Sequence, residues 1–218
     1  MKGETIRMIE NNRVTLSGEI VSNFEFSHEI YGEGFYTAML ANERTSGVKD
    51  VLPIMVSDRL VDVKADWTGR FVKVSGQFRS YNKHEDRKNR LKLSVFVREF
   101  EDITDIQKEF EFYNENSISL DGFICKTPIY RKTPLGREIA DILVAVNRPY
   151  GKSDYIPAIC WGRNARFSEN LEVGTRLQIE GRIQSREYQK KISDEEYETR
   201  TAYEVSVSRL EVAEEEEV

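Results

Sequence analysis

The sequence predicts an all-β protein that folds as two similar five-stranded barrels in tandem. Three observations carry this prediction. Four blocks of sequence recur in the same order at offsets of 104 to 110 residues, both copies consist of short strand-like runs, and each copy has a glycine in mid-run. A chain of 218 residues is long enough for two domains that each bury a core.

The repeat is visible by direct comparison. NRVTLSGEI (12–20) matches NSISLDGFI (116–124), and DVLPIMV (50–56) matches DYIPAIC (154–160), both at an offset of 104 residues. GRFVKVSGQFRS (69–80) matches GTRLQIEGRIQS (174–185) at an offset of 105, and RLKLSVFVREFE (90–101) matches RTAYEVSVSRLE (200–211) at 110. Because the order is kept throughout, the chain is a tandem duplication. We predict an N-terminal domain over 1–103, a linker over 104–115, a C-terminal domain over 116–212 and an acidic tail over 213–218.

The elements of each copy follow from residue type and periodicity. Runs of four to eight residues rich in Val, Ile, Leu, Tyr and Phe alternate between apolar and polar positions, which predicts strands. Gly76 and Gly181, at equivalent places in mid-strand, are typical of a sharply coiled strand in a small barrel. VSDRLVDVKADW and CWGRNARFSENLE each predict a short helix between the third and fourth strands. Five strands with one helix at this point describe an OB-fold in each copy.

Composition narrows the class of function. The net charge of -6 argues against a nucleic-acid binder at first. However, residues 116–209 carry 15 Lys and Arg against 13 Asp and Glu, while five glutamates lie in the last eight residues. The N-terminus has no apolar stretch suited to a secretory signal and no segment is long enough to cross a bilayer, so we expect a cytoplasmic protein.

The sequence offers little for catalysis or metal binding. Cys125 and Cys160 form no CxxC pair and lie in apolar runs, which predicts buried thiols in a reducing compartment rather than a zinc site or disulfide. The two histidines, His28 and His84, belong to no recognisable catalytic or metal-binding motif, and there is no phosphate-binding glycine loop. We therefore predict no enzyme activity, no cofactor and no metal.

The second copy resembles the bacterial single-stranded DNA-binding protein family over about 95 residues. The resemblance rests on the joint occurrence of AVNRP, the W-x-R-x-A block and EGRIQSR-x-Y, whereas the first copy resembles the family only through the repeat. Family members usually carry one OB domain and assemble as four domains, so a two-domain chain implies a homodimer. They also commonly end in an acidic tip with a Pro-Phe pair that recruits replication and repair proteins. The tail here is acidic but lacks that pair, so a solvated terminus is the simpler interpretation.

The predicted strands supply a binding face of their own. Single strands are held by aromatic side chains on which bases stack, set among cations that follow the phosphates. Alternation places Tyr155, Pro157, Ile159 and Trp161 on one side of a strand, with Ile156, Ala158 and Cys160 facing the core. On a later strand, Arg182, Gln184, Arg186 and Tyr188 share the face opposite Ile179 and Ile183.

The resemblance implies four stacking residues, Tyr150, Tyr155, Trp161 and Tyr188. Through the repeat, the same positions in the first copy fall on Ser46, Val51, Ser57 and Lys83, none of which is aromatic. Tyr81 would replace Lys83 if the hairpin were shifted by two residues. The predicted phosphate contacts are Arg148, Arg163, Arg182, Arg186, Lys126, Arg131, Lys132, Lys190 and Lys191.

Two hypotheses follow. In the first, the protein binds and protects single-stranded DNA without sequence preference during replication, recombination or repair, and base stacking falls mainly to the C-terminal domain. In a bacterium this would place it in the cytoplasm with the nucleoid. In the second, suggested by the acidic charge and the aromatic-poor first copy, the chain is a structural or protein-binding module with weak or no nucleic-acid binding.

Overall fold

The computed structural model describes residues 11–85, 88–105, 114–193 and 196–213, without the side chains of 82–85 and 88–90. Residues 106–113 of the predicted linker, 214–218 of the predicted tail and the hairpin tip at 194–195 lie outside the described residues. What was predicted for those segments stays a prediction.

The first copy forms a closed barrel. Its strands are β1 (Asn12–Ile20), β2 (Glu25–Ile30), β3 (Glu33–Glu43), β4 (Lys49–Ser57), β5 (Phe71–Glu85) and β6 (Lys88–Asp102). β1 and β2 together stand for the first strand of a five-stranded barrel, because both pair antiparallel with β3. The barrel closes because β1 also pairs with β5, and because β4 pairs with β6 in parallel orientation.

The second copy repeats this arrangement. Its strands are β7 (Asn116–Ile124), β8 (Ile129–Lys132), β9 (Glu138–Arg148), β10 (Lys152–Trp161), β11 (Arg176–Lys191) and β12 (Tyr197–Val212). β7 and β8 both pair with β9, β7 also pairs with β11, and β10 runs parallel to β12. The predicted all-β fold of two tandem barrels is confirmed.

The predicted helix between the third and fourth strands is present only in the second barrel. There it is α1 (Arg163–Ser168), which buries Ala165 and Ser168. In the first barrel the prediction is wrong, because residues 58–70 contain turns and no helix. Asp62 and Asp66 accept hydrogen bonds at 3.0 Å from backbone N–H groups two residues further on. Such local bonds compete with helix formation.

The mid-strand glycines are needed for close approach of two backbones. The ladder shifts register by a bulge just before Gly76 and just before Gly181. A Cβ atom on Gly76 would lie 2.1 Å from the carbonyl oxygen of Phe96, and one on Gly181 would lie 2.3 Å from that of Ser206. The prediction that these glycines serve a sharply coiled strand is confirmed.

The two barrels are joined through their first strands. β1 pairs antiparallel with β7, from Asn12 opposite Leu120 to Leu16 opposite Asn116, so that all twelve strands form one hydrogen-bonded sheet. The paired segments bury apolar side chains of both strands, including Val14 at 0% and Ile118 at 3% exposure. The backbone pairing holds the outer faces of the two barrels in a fixed relation.

Cys160 is buried, as predicted, and burial raises the pKa of its thiol to about 11. Cys125, at the end of β7, is only half-buried. Within the described ranges, no helix is long and apolar enough to span a bilayer.

Candidate nucleic-acid interface

The outer side of β10 carries two exposed aromatic rings. Tyr155 and Trp161 are 45% and 39% exposed, whereas Ile156 and Cys160 point into the barrel and are fully buried. The predicted alternation is therefore confirmed, except that Ile159 is buried as well. The Trp161 indole N–H donates to the Ser206 hydroxyl on β12 at 3.3 Å, which fixes one edge of the ring while much of its surface stays open.

Tyr188 and Arg186 extend this surface along β11. Tyr188 is 39% exposed, and the Arg186 guanidinium carbon lies 6.0 Å from the centre of its ring. Arg186 also lies 3.4 Å from both carboxylate oxygens of Glu204, which is nearly buried. We call Tyr155, Trp161, Tyr188 and Arg186 the aromatic face.

The polar row predicted on β11 is shorter than expected. Gln184 is only 6% exposed and donates to the Glu204 carboxylate at 2.8 Å, so it does not reach the surface. The row that reaches solvent on this side consists of Arg186 and Tyr188. Gln184 and Glu204 lie beneath it and hold the guanidinium in place.

Tyr150 stands apart from the other aromatic residues. It lies in a single 3₁₀ turn between β9 and β10, its side chain is 98% exposed, and its φ of 65° is in the left-handed region. A side chain in that region is strained, and such strain persists where the surrounding structure imposes it. The turn therefore presents the Tyr150 ring to solvent next to the strand that carries Tyr155.

The remaining predicted cations differ in their exposure and in the ion pairs that they make. Arg163, at the start of α1, is exposed and makes no ion pair among the described residues. Arg131 pairs with Asp141 at 2.8 Å, and burial raises the pKa of that carboxyl although Arg131 opposes the shift. The predicted lysines are exposed, namely Lys126, Lys132, Lys190 and Lys191.

Two of the predicted phosphate contacts are instead engaged between the barrels. Arg148 forms a two-pronged ion pair with Asp154 and donates to the Ser80 carbonyl of the first barrel at 2.9 Å. Arg182 points at Asp50 of the first barrel at 3.4 Å. This geometry favours a structural role for both arginines, and their contact with phosphate stays a prediction.

Asp50 and Asp154 occupy equivalent positions and fasten the barrels from two sides. Asp154 accepts from the Ser80 N–H at 2.6 Å, and Asp50 accepts from the Ser185 N–H at 2.8 Å. Burial alone would raise the pKa of Asp50, but hydrogen bonds from Arg44 and Ser185 and the charges of Arg44 and Arg182 hold it below its ordinary value. The aspartate shared by DVLPIMV and DYIPAIC is thus an inter-barrel anchor.

The strand register supports the positions assigned to the first barrel through the repeat. Val51 pairs with Ala41 and Ser57 with Phe35, as Tyr155 pairs with Ala145 and Trp161 with Ile139. Lys83 pairs with Arg90, as Tyr188 pairs with Arg200. The two-residue hairpin shift that would substitute Tyr81 for Lys83 does not occur.

Aromatic bulk in the first barrel lies on the strands that flank β4. Phe35 on β3 and Phe96 on β6 approach within 5.7 Å between ring centres, while Ser57 at the Trp161 position is 5% exposed. The second barrel reverses this pattern, with Ile139 and Ser206 as the flanking residues and Trp161 in the middle. Position-by-position comparison missed the exchange, although Phe96 opposite Ser206 in the aligned blocks was a visible sign of it.

Sequence reasoning also missed Arg79 and Arg98 on the outer side of the first barrel. Their guanidinium carbons lie 4.0 Å and 5.2 Å from the centre of the Phe96 ring. In the second copy the equivalent residues are Gln184 and Ser208. Two basic residues gained in one copy were the signal that could have identified them.

Comparison with known proteins finds a family that is similar to the second barrel. Residues 115–213 match the model of the single-strand binding protein family. A single-stranded DNA-binding protein of Clostridium tetani is 33% identical over 91 residues, which cover 38% of this chain and 63% of that protein. One of Halalkalibacterium halodurans is 34% identical over 80 residues, covering 34% and 48%. The matched region thus spans about half to two-thirds of these relatives.

A solved structure matches the whole two-barrel arrangement. The wild-type single-stranded DNA binding protein from Thermus aquaticus aligns over 95% of this chain and 95% of its own, with a TM-score of 0.74 and 18% sequence identity. At that identity the likeness concerns the fold. The likeness to the single-strand binding protein family thus lies in the second barrel, over residues 115–213.

Proposed function

We propose that this protein binds single-stranded DNA without sequence preference and protects it during replication, recombination or repair. The observation that carries the proposal is the aromatic face, on which Tyr155, Trp161 and Tyr188 are each 39% to 45% exposed. The Arg186 guanidinium lies beside the Tyr188 ring. Exposed rings stack on bases of any sequence, and each contact contributes about 1 to 3 kcal/mol. The names of the matched relatives support the same function, and the protein is a binding protein rather than an enzyme.

Roles are assigned on this basis. Tyr155, Trp161 and Tyr188 stack on bases, Tyr150 adds a fourth ring from its turn, and Arg163 and Arg186 contact phosphates. Lys126, Arg131, Lys132, Lys190 and Lys191 add weaker electrostatic attraction. Arg148 and Arg182 act chiefly by holding the barrels together.

We further propose a homodimer that presents four barrels, located in the bacterial cytoplasm with the nucleoid. The resemblance to a family that assembles four OB domains supports this proposal. The mass of the particle in solution, measured by light scattering, tests it: twice the chain mass of 25.4 kDa is expected, and a monomer would contradict it. Replication and repair proteins are possible further partners.

Fluorescence titration with oligo(dT) tests the binding function. Stacking on Trp161 should quench the indole emission, and log K should fall with log salt by about 0.7 for each phosphate neutralised. Trp67 adds background emission, and its N–H is bonded to the Asp62 carbonyl away from the aromatic face. Trp161→Phe is the matched control, because it should remove the quench and keep most of the affinity.

Failure to bind oligo(dT) at low salt would contradict the proposal. That result would support the second hypothesis, a structural or protein-binding module. The similarity to single-stranded DNA-binding proteins argues against this hypothesis.

A further inference from the structure

A cleft between the two barrels has an arginine-rich lining. It has a volume of about 700 Å³ and lies where β5 and β6 of the first barrel face the end of β9. Four arginines line it, Arg13, Arg79, Arg98 and Arg148, which we call the arginine cleft. Its carboxylates are Glu99 and Asp154.

The carboxylates do not balance the arginines. Asp154 pairs with Arg148. Glu99, which accepts a hydrogen bond from the Ser75 hydroxyl at 2.5 Å, is then the one carboxylate of the lining that faces the other three arginines. Arg79 donates at 2.7 Å to the neutral side-chain oxygen of Gln77. Arg13 and Arg98 make no ion pair within the described part of the chain.

Both burial and the neighbouring arginines act on the Arg79 side chain. Burial, followed by the charges of Arg148 and Arg98, lowers the pKa of Arg79 to about 10. Arg79 still carries its proton at neutral pH, so the cleft holds repelling cations. A bound anion would relieve that repulsion.

Phe96 holds two of the guanidiniums in place. The Arg79 and Arg98 guanidinium carbons lie over its ring at 4.0 Å and 5.2 Å. Phe35 supports the ring at 5.7 Å, and His28 stacks on Phe35 at 5.0 Å with an interplanar angle of 14°. Because guanidiniums cover the Phe96 ring, its role is to orient cations rather than to stack on bases.

The surface related to this cleft by the repeat has the opposite character. Glu115, Glu180 and Ser208 replace Asn11, Ser75 and Arg98, and Gln184 replaces Arg79. Gln184 is also buried there. The arginine cleft is therefore particular to one side of the molecule and does not follow from the barrel fold itself.

We propose that the arginine cleft binds backbone phosphates of a single strand that continues from the aromatic face onto the first barrel. This inference rests on the proposed function and adds a path to it. Arg148 and Pro149 line the cleft, Tyr150 follows directly, and Asp154 adjoins Tyr155. The Tyr155 N–H also donates to the Ser80 hydroxyl at 2.8 Å, so the backbone next to Arg79 lies against the strand that carries the rings.

The test replaces two arginines with the residues that the second copy carries at the same places, Arg79→Gln together with Arg98→Ser. The salt dependence of oligo(dT) binding is measured by anisotropy of a labelled oligonucleotide, with the full chain. Loss of two phosphate contacts should lower the slope of log K against log salt by about 1.4. Lys at both positions should restore most of the slope.

Arg70→Ser with Arg209→Ser is the matched control, since it removes the same charge from sites paired with Asp102 and Glu211. The control should keep the parental slope. A parental slope in the Arg79 and Arg98 variant, with a thermal melt unchanged, would overturn the cleft while leaving the binding function in place. Absence of binding by the parental chain would instead overturn the proposed function, and the cleft with it.

Discussion

The two barrels share a backbone plan and differ in what they present on their outer faces. The second exposes Tyr155, Trp161 and Tyr188, whereas the first has Val51, Ser57 and Lys83 at those positions and covers Phe96 with Arg79 and Arg98. Residues that close the barrels or join them are kept in both copies, including the mid-strand glycines and the aspartate anchors. Both copies thus keep the same backbone frame. We infer that base stacking belongs to the second copy, whereas the first copy contributes phosphate contacts only.

Removing the rings of the second barrel should have the largest effect on binding. Trp161→Ala with Tyr188→Ala should weaken oligo(dT) binding by about 2 to 6 kcal/mol, because two stacking contacts are lost. Val51→Ala with Ser57→Ala, at the equivalent places in the first barrel, should change binding by no more than a few tenths of a kcal/mol. Dissociation constants measured by anisotropy check both. Equal losses of affinity in the two double variants would contradict the inference that base stacking belongs to the second barrel.

The aspartate anchors should behave alike in the two barrels. Asp154→Asn, and separately Asp50→Asn, should lower the free energy of unfolding by about 3 kcal/mol, because each leaves a partly buried arginine without its charge partner. Asp102→Asn is the control, since its carboxylate is 36% exposed and pairs with Arg70 at the surface. That change should cost less than about 1 kcal/mol. Urea unfolding measures all three, and a negligible cost at Asp50 or Asp154 would show that the anchor does not hold the interface.

The first barrel has Ser57 and Phe96 where the second has Trp161 and Ser206, and this exchange can be tested by substitution. Ser57→Trp should destabilise the first barrel by about 1 to 3 kcal/mol, because Phe35 and Phe96 already occupy the space on either side of the buried serine. With Phe96→Ser in the same chain, which copies the pattern of the second barrel, part of that loss should be recovered. Thermal unfolding of the single and double variants gives the coupling. If the stability changes of the two single variants simply added in the double variant, residues 57 and 96 would not compete for the same space.

Two exposed tyrosines offer the finest comparison. Tyr31 and Tyr150 both lie in turns with positive φ, at 100% and 98% exposure, but in different barrels. Asparagine tolerates that backbone conformation, so neither Tyr31→Asn nor Tyr150→Asn should reduce stability. Tyr150→Asn should weaken oligo(dT) binding by about 1 kcal/mol, and Tyr31→Asn should leave it unchanged. If Tyr31→Asn weakened binding and Tyr150→Asn did not, the DNA would pass over the β2–β3 turn of the first barrel, which contradicts the proposed site.

The fold was largely readable from the sequence, because strand alternation and an internal repeat are local patterns. The helix predicted after Ser57 failed where aspartate side chains compete for the backbone, an outcome that the neighbouring apolar residues do not reveal. The site was harder to predict. Arg148 looks like a free cation in AVNRPY, and its engagement with Ser80 depends on a residue 68 positions away in the other barrel. The contacts of Phe96 with Phe35 and Arg79 could not be predicted for the same reason, because they join strands that become neighbours only in the folded barrel.

Photo-crosslinking of the full chain to oligonucleotides containing 5-bromodeoxyuridine tests the central claim most directly, because bases crosslink to the rings on which they stack. Mass spectrometry of the digested complex then assigns the crosslinked residues. The division of labour predicts crosslinks at Tyr155, Trp161 and Tyr188, with the aromatic residues of the first barrel essentially unmodified. Phe26 on β2 is 63% exposed and packs against Tyr36 on β3, with the ring centres 5.5 Å apart. Crosslinks of comparable yield at Phe26, Tyr36 or Phe96 would contradict the claim.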